Sequence, residues 1–137
     1  DFLGLPLAGT LAITETKTGR KTAVLHTFYR MDDGSYLAFF EAPDAPFEFK
    51  AQHDFDLHIA LEVDERVLHE MLAKGKAQGF ETRGVIDHGF IHSISFRDPN
   101  GYVVELTAKT ARHAEEMDPA TNGARAKLNR WQAEKVR

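Results

Sequence analysis

The chain has 137 residues, 42% hydrophobic and 28% charged, the balance of a single globular domain able to bury its own core. A net charge of -4 argues against a basic face for nucleic-acid phosphates. No cysteine is present, which excludes disulfides, thiolate nucleophiles and thiolate metal sites and fits a reducing cytoplasm; no apolar run approaches the length of a membrane span.

In chain order, residues 1–5 (DFLGL) read as the last turn of a helix stopped by Gly4. Residues 7–16 and 22–31 are rich in strand formers, and Lys17-Thr18-Gly19-Arg20 turns between them. Asp32-Asp33-Gly34 is a hairpin signal, and a third strand follows over 35–41. Residues 42–55 carry two prolines and several aromatics and read as a connection. The stretch 56–63 (DLHIALEV) alternates, with Leu57, Ile59, Leu61 and Val63 on one face and His58, Ala60 and Glu62 on the other. Asp64 is placed to cap a helix through Gln78, with Val67, Leu68, Met71 and Leu72 as its apolar stripe and Gly79 as its stop. Strands follow at 81–86, 91–97 and 102–108, the last pair turned by Asp98-Pro99-Asn100-Gly101. One or two helices, amphipathic through Leu128 and Trp131 and broken at Asp118-Pro119 and Asn122-Gly123, complete the chain.

The second half thus spells strand, helix and three strands; the first half spells the same unit without its opening strand and most of its helix. Leu25-His26-Thr27 before Asp33-Gly34 echoes Ile91-His92-Ser93 before Asn100-Gly101, the mark of a diverged duplication. The expected fold is α+β: paired βαβββ modules in a cupped mixed sheet with helices outside. It divides into one domain over 1–110 (1–50 the remnant of the first module, 51–110 the second) and a helical extension over 111–137.

Two placements carry chemistry. His58 lies mid-strand, opposite an aliphatic face, and Glu105 lies in a strand whose other face is Tyr102, Val104 and Leu106. Both ionisable groups therefore sit on the face their own helix leaves uncovered. An imidazole and a carboxylate in one cavity suit Fe, Mn, Zn or Ni, given a third donor such as another histidine. Against this stands the plainer reading, a hydrogen-bonded histidine and a solvated edge-strand glutamate.

Residues 86–105 (IDHGFIHSISFRDPNGYVVE) resemble the signature of the extradiol ring-cleaving dioxygenases, within the vicinal oxygen chelate superfamily that also holds glyoxalases and bleomycin-resistance proteins. His88, Ile94, Asp98, Pro99, Gly101 and Glu105 match that pattern, while Ser95 stands where it has a tyrosine. The resemblance spans residues 1–108. It implies that His58 and Glu105 are metal ligands, that the first module's absent opening strand supplies a second histidine, and that Ala38 occupies the position where glyoxalases place a glutamate; Glu41 falls on the other strand face. Two histidines and one carboxylate imply Fe(II) foremost, with Mn, Zn or Ni as substitutes, and a dioxygenase acting on a catechol-like small molecule, His88 and Ser95 hydrogen-bonding substrate or oxygen. The alternatives are a glyoxalase- or epimerase-like lyase or isomerase and a metal-free, drug-sequestering binding protein. A homodimer is implied as well, because an unpaired sheet edge needs cover.

The remaining histidines receive structural readings. His92 shares a face with Ile94 and Phe96, toward the helix, and is expected to be buried; His26 repeats that position. His53 lies in the connection near the sheet mouth, and His69 and His113 lie on helix surfaces. Phe28, Tyr29, Phe39, Phe40, Phe47 and Phe49 are expected mostly in the core. No nucleotide-binding fingerprint or nucleophile elbow occurs.

Overall fold

The structure, a computed structural model, describes residues 1–46, 48, 53 and 57–135. The chain forms two compact units, Asp1–Glu48 and Phe49–Arg137. The helices near the C-terminus go with the second.

The first unit is an antiparallel sheet of β1 (Leu7–Glu15), β2 (Lys21–Arg30) and β3 (Tyr36–Glu41), in that order. Residues 1–5 are not helical. They make one turn, with the Gly4 N–H donating to the Asp1 carbonyl at 3.3 Å and Gly4 at φ 73°. No side chain of this unit is buried among the described residues. Leu7, Leu11, Phe39 and Phe40 are 46–65% exposed, against the expectation of a phenylalanine-rich core. The cause is local: among the described residues the unit has no helix of its own to lay on either sheet face. Phe47 and Phe49 lie outside the described residues.

The second unit runs β4 (His58–Glu62), α1 (Glu65–Ala77), β5 (Thr82–Asp87), β6 (Ile91–Arg97) and β7 (Val103–Lys109), with sheet order β4-β7-β6-β5. β4 pairs parallel with β7, and the other pairs are antiparallel, so the sheet is mixed. Asp64 takes the extended N-cap backbone of α1, although its side chain makes no capping bond. Glu65 in the first turn and Lys74 and Lys76 in the last oppose the helix dipole. The helix stops as a Schellman motif: Gly79 N–H donates to Lys76 O (3.2 Å), Phe80 N–H to Gly75 O (3.0 Å), and Gly79 adopts φ 74°. α1 covers one face of β5, β6 and β7, and under it lies the core: Leu68, Ile94, Phe96, Leu106 and Ala108, each at most 4% exposed. Two short helices follow, α2 (His113–Glu116) and α3 (Ala124–Glu134). The apolar stripe expected on α3 is present but uncovered, with Leu128 45% and Trp131 65% exposed. Among the described residues no helix is long and apolar enough to cross a membrane.

The hairpins β2–β3 and β6–β7 are copies of one another. In each, a five-residue turn is closed by the same two backbone bonds: Met31 N to Ser35 O and Gly34 N to Met31 O in one, Asp98 N to Tyr102 O and Gly101 N to Asp98 O in the other. The turn glycines share φ of 85° and 88°. Strand pairing then fixes the correspondence, since Phe28 faces Ala38 as Ser95 faces Glu105. Ala38 is therefore the counterpart of Glu105. His26 is the counterpart of Ser93, one residue out of step with the echo read from sequence, so it lies on the face opposite to that of His92.

Candidate metal centre

Backbone register assembles the site before any side-chain contact is considered. Side chains of directly paired residues point to one face of a sheet. Ala60, Glu105, Ser95 and Arg83 are successive partners across β4, β7, β6 and β5. One rung along, His58, Val103 and Arg97 are partners in the same way. These two rungs make the sheet face that α1 does not cover, and a pocket opens on it. His58, Glu81, Arg83, His88, Ser93, Ser95, Val103 and Glu105 line the pocket. Its volume of about 190 Å³ falls short of the few hundred Å³ of pockets for drug-sized ligands, so it fits a small molecule.

Within it, His58 Nε2 and Glu105 Oε2 approach to 2.5 Å, with side chains 32% and 15% exposed. Two features let them meet. The parallel β4–β7 pairing sets them one rung apart on adjacent strands, and Ala60 and Val103 beside them are too small to intervene. An imidazole nitrogen and a carboxylate oxygen converging from neighbouring strands form the donor chemistry that a borderline divalent cation takes. They also satisfy each other as an acceptor and a ring N–H. Among the described residues no group of three His, Cys, Asp or Glu side chains is placed to hold a metal.

His88 Nε2 lies 3.1 Å from the hydroxyl of Ser93, which is 4% exposed, so His88 reaches the sheet floor rather than free solvent. Ser95 lies between Glu105 and Arg83. The four residues singled out from sequence, His58, His88, Ser95 and Glu105, thus line one pocket.

Glu81, Arg83 and Arg97 were not singled out. Arg97 could have been, for it follows Ser95 at the two-residue spacing of a shared strand face. Arg83 could not, because a register irregularity between Gly84 and Ile86, with Gly84 at φ 112°, separates it from the alternation of the rest of β5. Arg83 Nη2 donates to Glu81 Oε1 at 2.9 Å, Arg97 Nε lies 3.5 Å from Glu81 Oε2, and Arg97 Nη1 donates to the Gly101 carbonyl at 2.9 Å.

The other histidines are placed as follows. His92 does face α1, with Nδ1 3.0 Å from Glu65 Oε1, but its side chain is 32% exposed rather than buried, because it pairs with the helix's exposed first residue instead of entering the core. His26 stacks on Phe40 with ring centroids 3.8 Å apart and is half-buried. His53 is exposed; His69 is exposed and lies 3.2 Å from Glu65; His113 is half-buried against Phe90.

A three-stranded hairpin sheet and a βαβββ unit, the latter with an imidazole and a carboxylate on the face its helix leaves uncovered, make up a fold shared with solved glyoxalase- and dioxygenase-family structures. The chain is similar to a glyoxalase family protein from Bacillus cereus (18% identity, TM-score 0.60, covering 80% of this chain and 81% of that one). It is also similar to a variant of the fosfomycin resistance protein FosX from Listeria monocytogenes complexed with Mn(II) and 1S,2S-dihydroxypropylphosphonic acid (19%, TM-score 0.55, 83% and 80%). A third is a glyoxalase/dioxygenase from Nostoc punctiforme (17%, TM-score 0.53, 62% and 60%). At such identities the likeness is one of fold. No protein-family model matches the chain, and no curated protein matches it in sequence.

Proposed function

We propose that the chain is a divalent-metal-dependent enzyme acting on a small, vicinally oxygenated molecule, with His58 and Glu105 as two of the metal's ligands. The observation that carries this reading is the 2.5 Å convergence of His58 Nε2 and Glu105 Oε2 inside the one pocket that also holds His88 and Ser95. A bound cation supplies Lewis acidity and a template for two adjacent substrate oxygens. The chain's own residues do the rest. His88, hydrogen-bonded to Ser93, can take up or return a proton at Nε2, and the Ser95 hydroxyl can orient a substrate oxygen beside Glu105. The exposed Leu7, Leu11 and Phe40 support a homodimer, since they offer apolar area for a partner to cover.

Two reactions compete for this site. Extradiol cleavage with Fe(II) is favoured by the match of His88, Asp98, Pro99, Gly101 and Glu105 to that signature and by Ala38, which brings no carboxylate. Oxygen-independent lyase, isomerase or hydrolase chemistry is favoured by Ser95 standing in for the signature's tyrosine and by the Mn(II) and 1S,2S-dihydroxypropylphosphonic acid bound to the fosfomycin resistance neighbour.

Stripped protein titrated with Mn(II), Fe(II), Zn(II) and Ni(II) should bind one equivalent per site, and His58→Ala or Glu105→Gln should weaken that binding at least tenfold to about a hundredfold. Unchanged affinity in both variants overturns the reading, and a wild type that binds no stoichiometric metal leaves a metal-free binding protein. A ring-opened chromophore from catechols only after oxygen is admitted identifies the first reaction. Turnover of a hemithioacetal or of fosfomycin without oxygen identifies the second.

A further inference from the structure

We infer that the Ser93 hydroxyl holds His88 in one tautomer, with its ring hydrogen on Nδ1, so that the imidazole meets a bound molecule as a hydrogen-bond donor to a carbonyl or deprotonated oxygen. Ser93 is then a positioning residue that acts through His88. That the oxygen belongs to a metal-chelating substrate rests on the function proposed above; the tautomer does not.

Alternation places the pair. His92 faces α1 and is the strand partner of Asp87, so the next residues, Ser93 and His88, turn to the uncovered face, and both line the pocket. The backbone that carries the imidazole is fixed at several points. His88 N–H donates to the Ile91 carbonyl at 3.0 Å and Gly89 N–H to Asp87 Oδ1 at 2.7 Å. Thr110 donates from Oγ1 to the Gly89 carbonyl at 2.8 Å and from its N–H to the Phe90 carbonyl at 3.1 Å. Ser95 faces Glu105, and Ser93 lies two places along the same strand. Ser93 is therefore the diagonal neighbour of Glu105, about 7–8 Å away, within the span of a molecule only a few atoms long.

Counting donors sets the direction of the bond. Ser93 is 4% exposed, and the side-chain partner of its hydroxyl among the described residues is His88 Nε2, at 3.1 Å. A hydroxyl has one hydrogen and two lone pairs. Were it to accept from Nε2–H, its own hydrogen would be buried without an acceptor, which costs more than an unused lone pair. The hydroxyl therefore donates. The hydrogen bond at one ring nitrogen decides which nitrogen carries the proton, so neutral His88 keeps its hydrogen on Nδ1. Nε2, against the hydroxyl, is where a further proton is taken up, and Nδ1–H is the group left for a ligand. The plainer reading, a serine hydroxyl satisfied by an exposed histidine with no ligand, predicts a ligand affinity indifferent to both residues.

The first test is nitrogen NMR of His88 in the metal-free full chain. The neutral wild-type ring should carry its hydrogen on Nδ1, with Nε2 unprotonated. Ser93→Ala should move the hydrogen toward Nε2, and Ser93→Thr, which keeps the hydroxyl, should leave it on Nδ1. A neutral wild-type ring protonated at Nε2, or a tautomer that Ser93→Ala leaves unchanged, overturns the inference. The second test titrates acetohydroxamate, a small anion with two adjacent oxygens, into the Zn(II)-loaded chain by calorimetry. Loss of the donor in His88→Phe should weaken binding about tenfold. Ser93→Ala should weaken it severalfold, and the double variant no more than His88→Phe alone, because the two residues act as a unit. Zn(II) uptake with acetohydroxamate affinity unchanged in His88→Phe overturns the inference and leaves the metal reading standing. If the wild type takes up no Zn(II), the metal reading fails, and the His88 resonances alone uphold or overturn the tautomer.

Discussion

The two hairpins of this chain share their turn geometry and strand register, yet one presents a row of polar and ionisable side chains and the other does not. Where β5, β6 and β7 present Arg83, Ser95 and Glu105 along one rung, β1, β2 and β3 present Gly9, Phe28 and Ala38 at the matching places. Arg30 and Arg97, just before the turns, are the same residue, but Ser93 has become His26, stacked on Phe40. Backbone hydrogen bonds and the positive-φ turn glycines set the geometry of both hairpins, and they leave the outward residues free to diverge. A helix decides the other difference. α1 lets the second unit bury Leu68 and Ile94 completely, whereas no described side chain of the first unit is buried.

The largest effect should come from the core that only one half has. Leu68→Ala should cost about 2–5 kcal/mol, because a fully buried leucine leaves a cavity as well as losing its transfer energy. Phe40→Ala, a larger truncation in the first unit at a side chain 65% exposed, should change stability by about 0.5 kcal/mol or less. Urea denaturation of both variants at low protein concentration checks the contrast. A Phe40→Ala loss as large as that of Leu68→Ala, appearing only at high concentration, would show that a second copy supplies the missing cover.

Next comes the seam between α1 and its sheet. Gly75 is buried, and a β-carbon there would lie 2.4 Å from Phe96 Cε1 and 2.8 Å from Thr82 Oγ1. Phe96 is only 4% exposed and has nowhere to retreat. Gly75→Ala should therefore destabilise by about 1–3 kcal/mol through overpacking, despite alanine's better helix propensity. A gain in thermal midpoint would mean that the helix stands off the sheet. Gly9 in the first unit has only Phe28 at 4.0 Å, so Gly9→Ala should be nearly silent there.

Much of this was legible in sequence, for reasons tied to particular residues. Alternation over 56–63 placed His58 opposite Leu57, Ile59 and Leu61, and alternation over 102–107 placed Glu105 opposite Val104 and Leu106, so the shared face followed from the two-residue period alone. The helix end at Gly79 and the turn at Asp98-Pro99-Asn100-Gly101 followed from backbone chemistry that few residues satisfy. Three things were not legible. The His26–His92 echo ran one residue out of register, because a shared histidine is weaker evidence of alignment than the turn that fixes the pairing. The burial of His92 was overestimated, since Glu65, 27 residues earlier in the chain, comes within hydrogen-bonding distance of it. Arg83 joined the pocket across an irregular stretch of β5 that no periodicity encodes.

The turns themselves give a smaller, sharper comparison. Asp98 Oδ1 accepts the N–H groups of Asn100 and Tyr102, both at 2.8 Å, and so ties the start of its turn to the residue that enters β7. Asp33 sits two places later in its own turn, and its Oδ1 accepts from Ser35, through the N–H at 2.9 Å and the hydroxyl at 2.5 Å. Asp98→Ala should cost about 1 kcal/mol, near the usual net worth of a hydrogen bond, and Asp33→Ala less than that. Urea midpoints compared at pH 7 would reveal a reversed order.

Asp33 also makes the faintest prediction, one of sign rather than size. The Ser35 hydroxyl and N–H hold its carboxyl below the ordinary carboxylate value. A carboxyl depressed in the folded state binds its proton more readily when unfolded. Its contribution is therefore complete above the unfolded value, near pH 4, and is lost as the pH falls through the folded value below that. Ser35→Ala leaves a backbone N–H as the remaining donor from that residue and should remove much of the depression. In a spectroscopic titration the Asp33 resonance of Ser35→Ala should then move to a higher midpoint than in the wild type. A midpoint that does not move would assign the depression to the backbone N–H, and the turn of the first unit would owe its shape to Gly34 and the main chain alone.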